Sequence, residues 1–167
     1  MPVRLIALIA ATALAVLPAA MAAGQGASVA FGGLRADTGL PVEVTADQLT
    51  VDQNDGTAVF SGNVLVGQGE MRLSAAEVVV EYGGEDQSRI ERLHATGGVT
   101  LVSGAEAAEA EEAVYTIDSG EVVMTGNVLL VQGANTLSGQ KLIVDLSTGT
   151  GRMEGRVKTV LQPSGGN

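Results

Sequence analysis

The sequence predicts an all-β fold made of strand pairs stacked in series. Three observations predict it. First, a short unit recurs four times, as Gly62-Asn63-Val64, Gly97-Gly98-Val99, Gly126-Asn127-Val128 and Gly155-Arg156-Val157, at spacings of 35, 29 and 29 residues. A period in this range marks a repeat architecture, in which each unit buries its apolar face against its neighbours. Second, hydrophobicity around each copy alternates with period two. Leu93, Ala95, Gly97, Val99 and Leu101 share one parity, and Arg92, His94, Thr96, Gly98 and Thr100 the other. That is a strand with one buried and one wet face. Third, glycine is abundant at 23 residues and aromatics are only 2%, so turns are many and the core is aliphatic.

The same parity places Ala58, Phe60, Gly62, Val64 and Val66 inward in the first copy. In the third it selects Val122, Met124, Gly126, Val128 and Leu130, and in the fourth Met153, Gly155 and Val157. The repeated glycine therefore falls mid-strand on the inward face, where glycine marks a bend or bulge. It is read as a corner at which each long strand folds over and serves both walls of a sandwich. Asn at the next position fits, since it tolerates positive φ.

Taken in order, residues 1–22 have the parts of a secretory signal: Arg4, the apolar run Leu5 to Leu17, Pro18, and the small-x-small site Ala20-Met21-Ala22. The 13-residue run is short of the roughly 20 that a spanning helix needs. Residues 23–40 have no period and read as a flexible lead-in. The repeat domain occupies 41–161, and 162–167 form a tail with nothing to pack. Strands are expected at about 42–52 with Leu49 and Val51 inward, 57–66, 70–82, 89–102, 105–118, 121–131, 135–146 and 150–161. The third carries a phase shift between Met71/Leu73 and Val78/Val80/Tyr82. Ala105 to Ala113 is helical by propensity, but its place in the repeat makes it strand. Leu142, Val144 and Leu146 face inward. Copy two aligns with the others only through an insertion around Gly83-Gly84-Glu85-Asp86-Gln87.

Several chemistries are excluded. The formal net charge is −10, and −11 without Arg4, which argues against nucleic acid and anionic membrane surfaces as general partners. There is no cysteine, hence no thiol nucleophile and no disulfide framework. The single histidine, His94, lies on a wet face, so neither a zinc site nor a Ser-His-Asp set assembles around it. Glu106, Glu109, Glu111 and Glu112 lack the ordered spacing of a calcium loop and read as a solvated face. No catalytic residue, metal or cofactor is expected. The aliphatic interior remains: it either packs shut or stays open enough to hold an acyl chain. Each end of a linear strand stack is also a row of unpaired amides and carbonyls, able to add strands from a neighbour.

Ala46-Asp47-Gln48-Leu49, Gly56, then Ser61-Gly62-Asn63-Val64 with Gln68-Gly69 resembles the OstA-type repeat, and Thr125-Gly126-Asn127-Val128 with Gln132-Gly133 repeats it. From about Pro41 to Leu161 the chain is similar to the LptA/OstA-like family of periplasmic lipopolysaccharide-transport proteins. Copies two and four depart from Gly-Asn-Val. The resemblance implies an open, twisted antiparallel β-jelly roll of four ~30-residue strand-pair repeats, with each strand bent at a corner. It implies a bridge between inner and outer membranes, stacked end to end and onto LptC-like and LptD-like proteins of the same fold by edge-strand pairing. Lipopolysaccharide passes with its lipid A acyl chains inside and its sugars outside. The candidate acyl contacts are Phe60, Val64, Val66, Leu93, Val99, Leu101, Val122, Met124, Val128 and Leu130. Competing expectations are an LptC-like subunit held by an uncleaved N-terminal helix, and a structural β-repeat or adhesion module that binds no lipid.

Overall fold

The computed structural model of the chain describes residues 27–30, as backbone, and 34–163. The expected signal segment lies outside these, as does the tail beyond Pro163. Every element described is a strand: β1 (Ala27–Ala30), β2 (Glu43–Thr45), β3 (Gln48–Asp52), β4 (Thr57–Gln68), β5 (Met71–Gly83), β6 (Arg89–Ser103), β7 (Glu106–Thr116), β8 (Glu121–Gln132), β9 (Asn135–Asp145), β10 (Thr150–Glu154) and β11 (Lys158–Val160). They form one antiparallel sheet in the order β1-β10-β9-β8-β7-β6-β5-β4-β2, with β3 also on β4 and β11 also on β9. From β2 to β10 spatial order follows chain order, as expected of hairpins laid side by side. The alanine- and glutamate-rich stretch around β7 is strand, so pairing in the array overrides helical propensity.

All four repeat units are corners. Gly62, Gly97, Gly126 and Gly155 have φ between +79° and +85°, and Asn63, Gly98, Asn127 and Arg156 follow with φ of +47°, +85°, +47° and +50°. Two successive left-handed residues on one strand oppose a single residue on its neighbour. Pairing thus jumps from Ser61↔Glu77 to Val64↔Ala75, and from Thr125↔Lys141 to Val128↔Gly139. This is a β-bulge, which bends the strand that carries it. Repeated on alternate strands, it creases the whole sheet along one line. One wall holds β3, β10 and the parts of the long strands near the 52–57, 83–89, 116–121 and 145–150 turns. The other holds β2, β11 and the remaining halves.

Glycine is required at each crease by close approach as well as by φ. A Cβ on Gly62 would sit 2.6 Å from Asp47 Oδ2, and one on Gly97 2.6 Å from Ala76 Cβ. The equivalents at Gly126 and Gly155 would meet Glu111 Oε2 at 2.6 Å and Gln140 Cβ at 2.7 Å. These four glycines are half-exposed or exposed rather than inward. Each turns its open side to the residue across the crease, which corrects the inward placement that parity gave them.

The extra residue keeps parity on the bulged strands and shifts it on their neighbours. Met71, Leu73 and Ala75 are buried on one side of the crease in β5, Val78 and Val80 on the other. Ala108 against Ala113 and Tyr115 in β7, and Leu137 against Leu142 and Val144 in β9, follow suit. The phase shift expected in the third strand therefore recurs twice more.

Three expectations are corrected. The first expected strand divides at Ala46-Asp47 and the last at the Gly155 corner, because both edge strands bend with the sheet. Leu49 and Val51 pair with Phe60 and Ala58, hence share the core-side face, yet they are 53% and 59% exposed because β3 is an edge strand among the described residues. Val157 is 36% exposed for the matching reason at the other end. Finally, the lead-in is placed. β1 pairs with β10, Leu34 is fully buried, and residues 34–40 are tied to both walls.

Candidate functional site

The two walls face each other across an aliphatic interior. Of the candidate lining residues, Val64, Val66, Leu93, Val99, Leu101, Val122, Met124, Val128 and Leu130 are buried to 3% exposure or less, and Phe60 is partly buried. The bulge geometry brings all ten to the same interior from both sides of the crease. Sequence parity missed Leu34, Ala108, Ala113, Tyr115 and Leu137, which join the same core. All five lie on the strands where the crease shifts the phase or in the lead-in. The Val-Val-Met alternation of β8 made its parity legible, whereas the Ala-Glu run of β7 did not.

At the β3 end the interior opens. Leu49, Val51, Ala58, Phe60 and Tyr82 line a hollow of about 500 Å³, rimmed by Asp52, Gln53, Thr57, Asp86 and Gln87. Asp86 and Gln87 belong to the insertion that sets copy two apart. Ser88 Oγ donates to Asp86 Oδ1 at 2.8 Å, and this bond holds the carboxyl below the usual aspartate range.

Opposite the crease, the free margins of the walls are joined. Tyr115, at the margin of one wall, donates its hydroxyl to Gln68 Oε1 on the other at 2.6 Å, and both side chains are buried. Burial pushes the Tyr115 hydroxyl above the ordinary value of 10.0, with the bond to Gln68 pulling partly back. Gln68 Nε2 donates in turn to the Thr38 and Leu40 carbonyls at 3.1 and 2.9 Å. Ser103 Oγ donates to the Arg35 carbonyl at 2.7 Å, and Ala36 N–H to the Leu146 carbonyl at 3.0 Å. Residues 34–40 therefore lie along the mouth between the margins, with Leu34 directed into the core.

His94 sits on the outer face, its Nε2 3.6 Å from Glu112 Oε2, with both side chains substantially exposed. Among the described residues no three His, Cys, Asp or Glu side chains group as a metal site would need. Glu111 is engaged with Asn127 at a corner, Glu112 lies near His94, and Glu109 is solvated.

Residues 43–150 match the family described as LptA/(LptD N-terminal domain) LPS transport protein. The chain belongs to this family. The LptA/LptD N-terminal family is a transport family, not an enzyme family. An uncharacterized protein of Rhizobium meliloti is 32% identical over 114 residues, which is 65% of this chain and 61% of that protein. The lipopolysaccharide export system protein LptA of Escherichia coli K12 is 33% identical over 63 residues, 38% of this chain and 34% of that protein. The chain thus spans less than two thirds of the length of either relative. The crystal structure of LptH from Pseudomonas aeruginosa, the LptA-homologous periplasmic component of a lipopolysaccharide transport device, superposes with a TM-score of 0.68 at 22% identity. That match covers 77% of this chain and 99% of LptH. The fold is the open antiparallel β-jelly roll expected of LptA-like proteins.

Proposed function

We propose that this chain is a periplasmic lipopolysaccharide-binding bridge protein that carries its cargo from the inner to the outer membrane. The acyl chains are held between the walls, and protomers stack edge to edge. One observation carries the reading: an aliphatic interior runs along a creased sheet and reaches an open apolar hollow at its first edge. In a lipopolysaccharide-transport family, the part of the cargo that such an interior suits is the acyl portion.

Affinity then comes from apolar burial, about 0.8 kcal/mol per methylene. The lipid phosphates stay in water, away from a chain whose net charge is −10. The candidate contacts are the ten inward residues from Phe60 to Leu130, and the free margins opposite the crease part to admit the chains. The protein positions and shelters; its residues perform no bond chemistry. The leader at 1–22, read as a cleaved signal, supports a periplasmic location.

Edge pairing is supported by what each edge presents. β2, β3 and the bend between them carry Glu43, Asp52 and Asp47 beside the exposed Leu49 and Val51. The last corner and β11 carry Arg156 and Lys158 beside the exposed Val157 and Val160. Head-to-tail contact joins opposite charges and covers apolar side chains at both edges. The same pairing serves partners of the same fold, LptC-like at one end and LptD-like at the other.

The test places a photo-crosslinking residue at Val128, 1% exposed, and in a control at Leu129, 37% exposed on the opposite face, in living cells. Lipopolysaccharide adducts at Val128 and not at Leu129 are expected. A folded protein with no adduct at either site would replace this reading with a structural β-repeat module.

A further inference from the structure

The segment 34–40 lies in the chain between β1 and β2, which starts at Glu43. It spans the lateral mouth between the two free margins of the creased sheet. Its main-chain groups bond to Leu146 on one wall and to Ser103 and Gln68 on the other. The Thr38 methyl lies 3.1 Å from where a Gly120 Cβ would be, and a Leu40 methyl 3.0 Å from that of Gly69. Leu34 is fully buried in the aliphatic core, while Arg35, Asp37, Gly39 and Leu40 face water. The segment thus offers the interior the Leu34 side chain and turns Arg35, Asp37, Gly39 and part of Leu40 to solvent. An acyl chain entering from this side, with its headgroup left in water, needs the same space.

We propose that residues 34–40 are a strap that holds the place of cargo in the lateral mouth and is displaced when an acyl chain enters. The proposal rests on the lipid-carrying reading above and adds its regulation. The device closes the empty protein: Leu34 fills the apolar space, and the Gln68 and Ser103 side chains have partners in the strap. Loading exchanges the Leu34 side chain for a longer alkyl chain. The strap therefore acts as a competitor covalently attached to the site, and its release sets the apparent affinity. The buried Tyr115–Gln68 bond spans the same mouth, so a displaced strap leaves this tie between the two margins in place.

The experiment uses the absence of native cysteines. Thr38→Cys with Gly120→Cys is prepared oxidised, locking the strap, and reduced, freeing it. Each form carries the photo-crosslinking residue at Val128 and is mixed with purified lipopolysaccharide. Adducts in the reduced form and their loss in the oxidised form are expected. Equal adducts in the two forms overturn the strap while leaving the lipid-carrying reading standing. No adduct in the reduced form or in the Val128 probe without the cysteine pair overturns both. In case the cysteine pair disturbs the fold at Gly120, Leu34→Ser gives a second measurement. It weakens the strap without a crosslink, and the concentration needed for half-maximal adduct should fall by roughly tenfold. An unchanged or higher concentration, in a folded protein, overturns the strap.

Discussion

Asn127 Nδ2 donates to Glu111 Oε1 at 2.6 Å across the crease, and Asn63 makes the same bond to Asp47 Oδ2 at 2.7 Å. Where the repeat reads Gly-Asn, the residue packed against the glycine from the side of the preceding strand is a carboxylate, Asp47 or Glu111. At Gly97-Gly98 the residue in that place is Ala76, which has nothing to accept with. Asparagine and carboxylate thus occur together at the first and third corners. The pair is exposed, so the main demand at Asn127 is its φ of +47°. Asn127→Gly with Glu111→Ala, which copies the second corner, should cost under about 1 kcal/mol in urea denaturation. Asn127→Val, β-branched at a left-handed position, should cost about 2 kcal/mol.

The two glycines Gly97 and Gly126 should differ in tolerance to alanine. Both have positive φ, which costs an alanine about 1–2 kcal/mol. At Gly126 the new methyl meets the Glu111 side chain, part of which can swing away; at Gly97 it meets the Ala76 Cβ, which cannot. Gly97→Ala should therefore lower the urea midpoint more than Gly126→Ala, and the reverse order would remove close approach as the reason for the repeat.

Adjacent residues on β8 test the inward face. Val128→Asp puts an unpaired carboxylate at a site 1% exposed and should cost about 3 kcal/mol or more, or block lipid passage. Leu129→Asp, at a site 37% exposed, should stay within about 1 kcal/mol. Thermal melts and cell complementation read both.

Tyr115→Phe leaves Gln68 Oε1 buried without its donor and should cost about 1–3 kcal/mol. Its pH dependence is distinctive. The native hydroxyl holds its proton above the ordinary value of 10.0, so its contribution is complete below pH 10 and is lost as pH rises through the raised value. The native protein should lose stability on the alkaline side more steeply than Tyr115→Phe, and parallel pH profiles would count against a buried, neutral tyrosine.

Removing the chain from Val157 onward deletes β11 and uncovers β9 along one wall. The body should stay folded on the remaining strands while end-to-end assembly is lost, seen as a concentration-independent monomer by light scattering. Oligomers that persist in the truncated protein would place the contact elsewhere.

Much of this fold was legible because glycine at a crease is demanded twice, by φ and by the side chain across from it. Parity succeeded on β4, β6 and β8, where the bulge's extra residue keeps inward positions in phase. It failed at Tyr115 and Leu137, on the unbulged strands, because the shift there is imposed by the neighbour and not by the strand's own residues. Leu34 was illegible for another reason. One buried residue in an aperiodic segment has no pattern, and the side chains that hold the segment, Gln68 and Ser103, lie 28 to 30 and 68 positions beyond the carbonyls they bond. Leu49 and Val51 read as core because parity reports a face and says nothing about whether anything covers it.

The crease also restricts how such a molecule can change length. Bulged and unbulged strands must alternate, or two bends would fall side by side with no single residue between them. A lone strand cannot be inserted; growth or loss proceeds by whole hairpins. With strands about 4.8 Å apart, each duplication lengthens the body by about 10 Å. On the bridging role proposed above, the gap between two membranes is matched in fixed steps, coarse for one subunit and evened out only by how many are strung together.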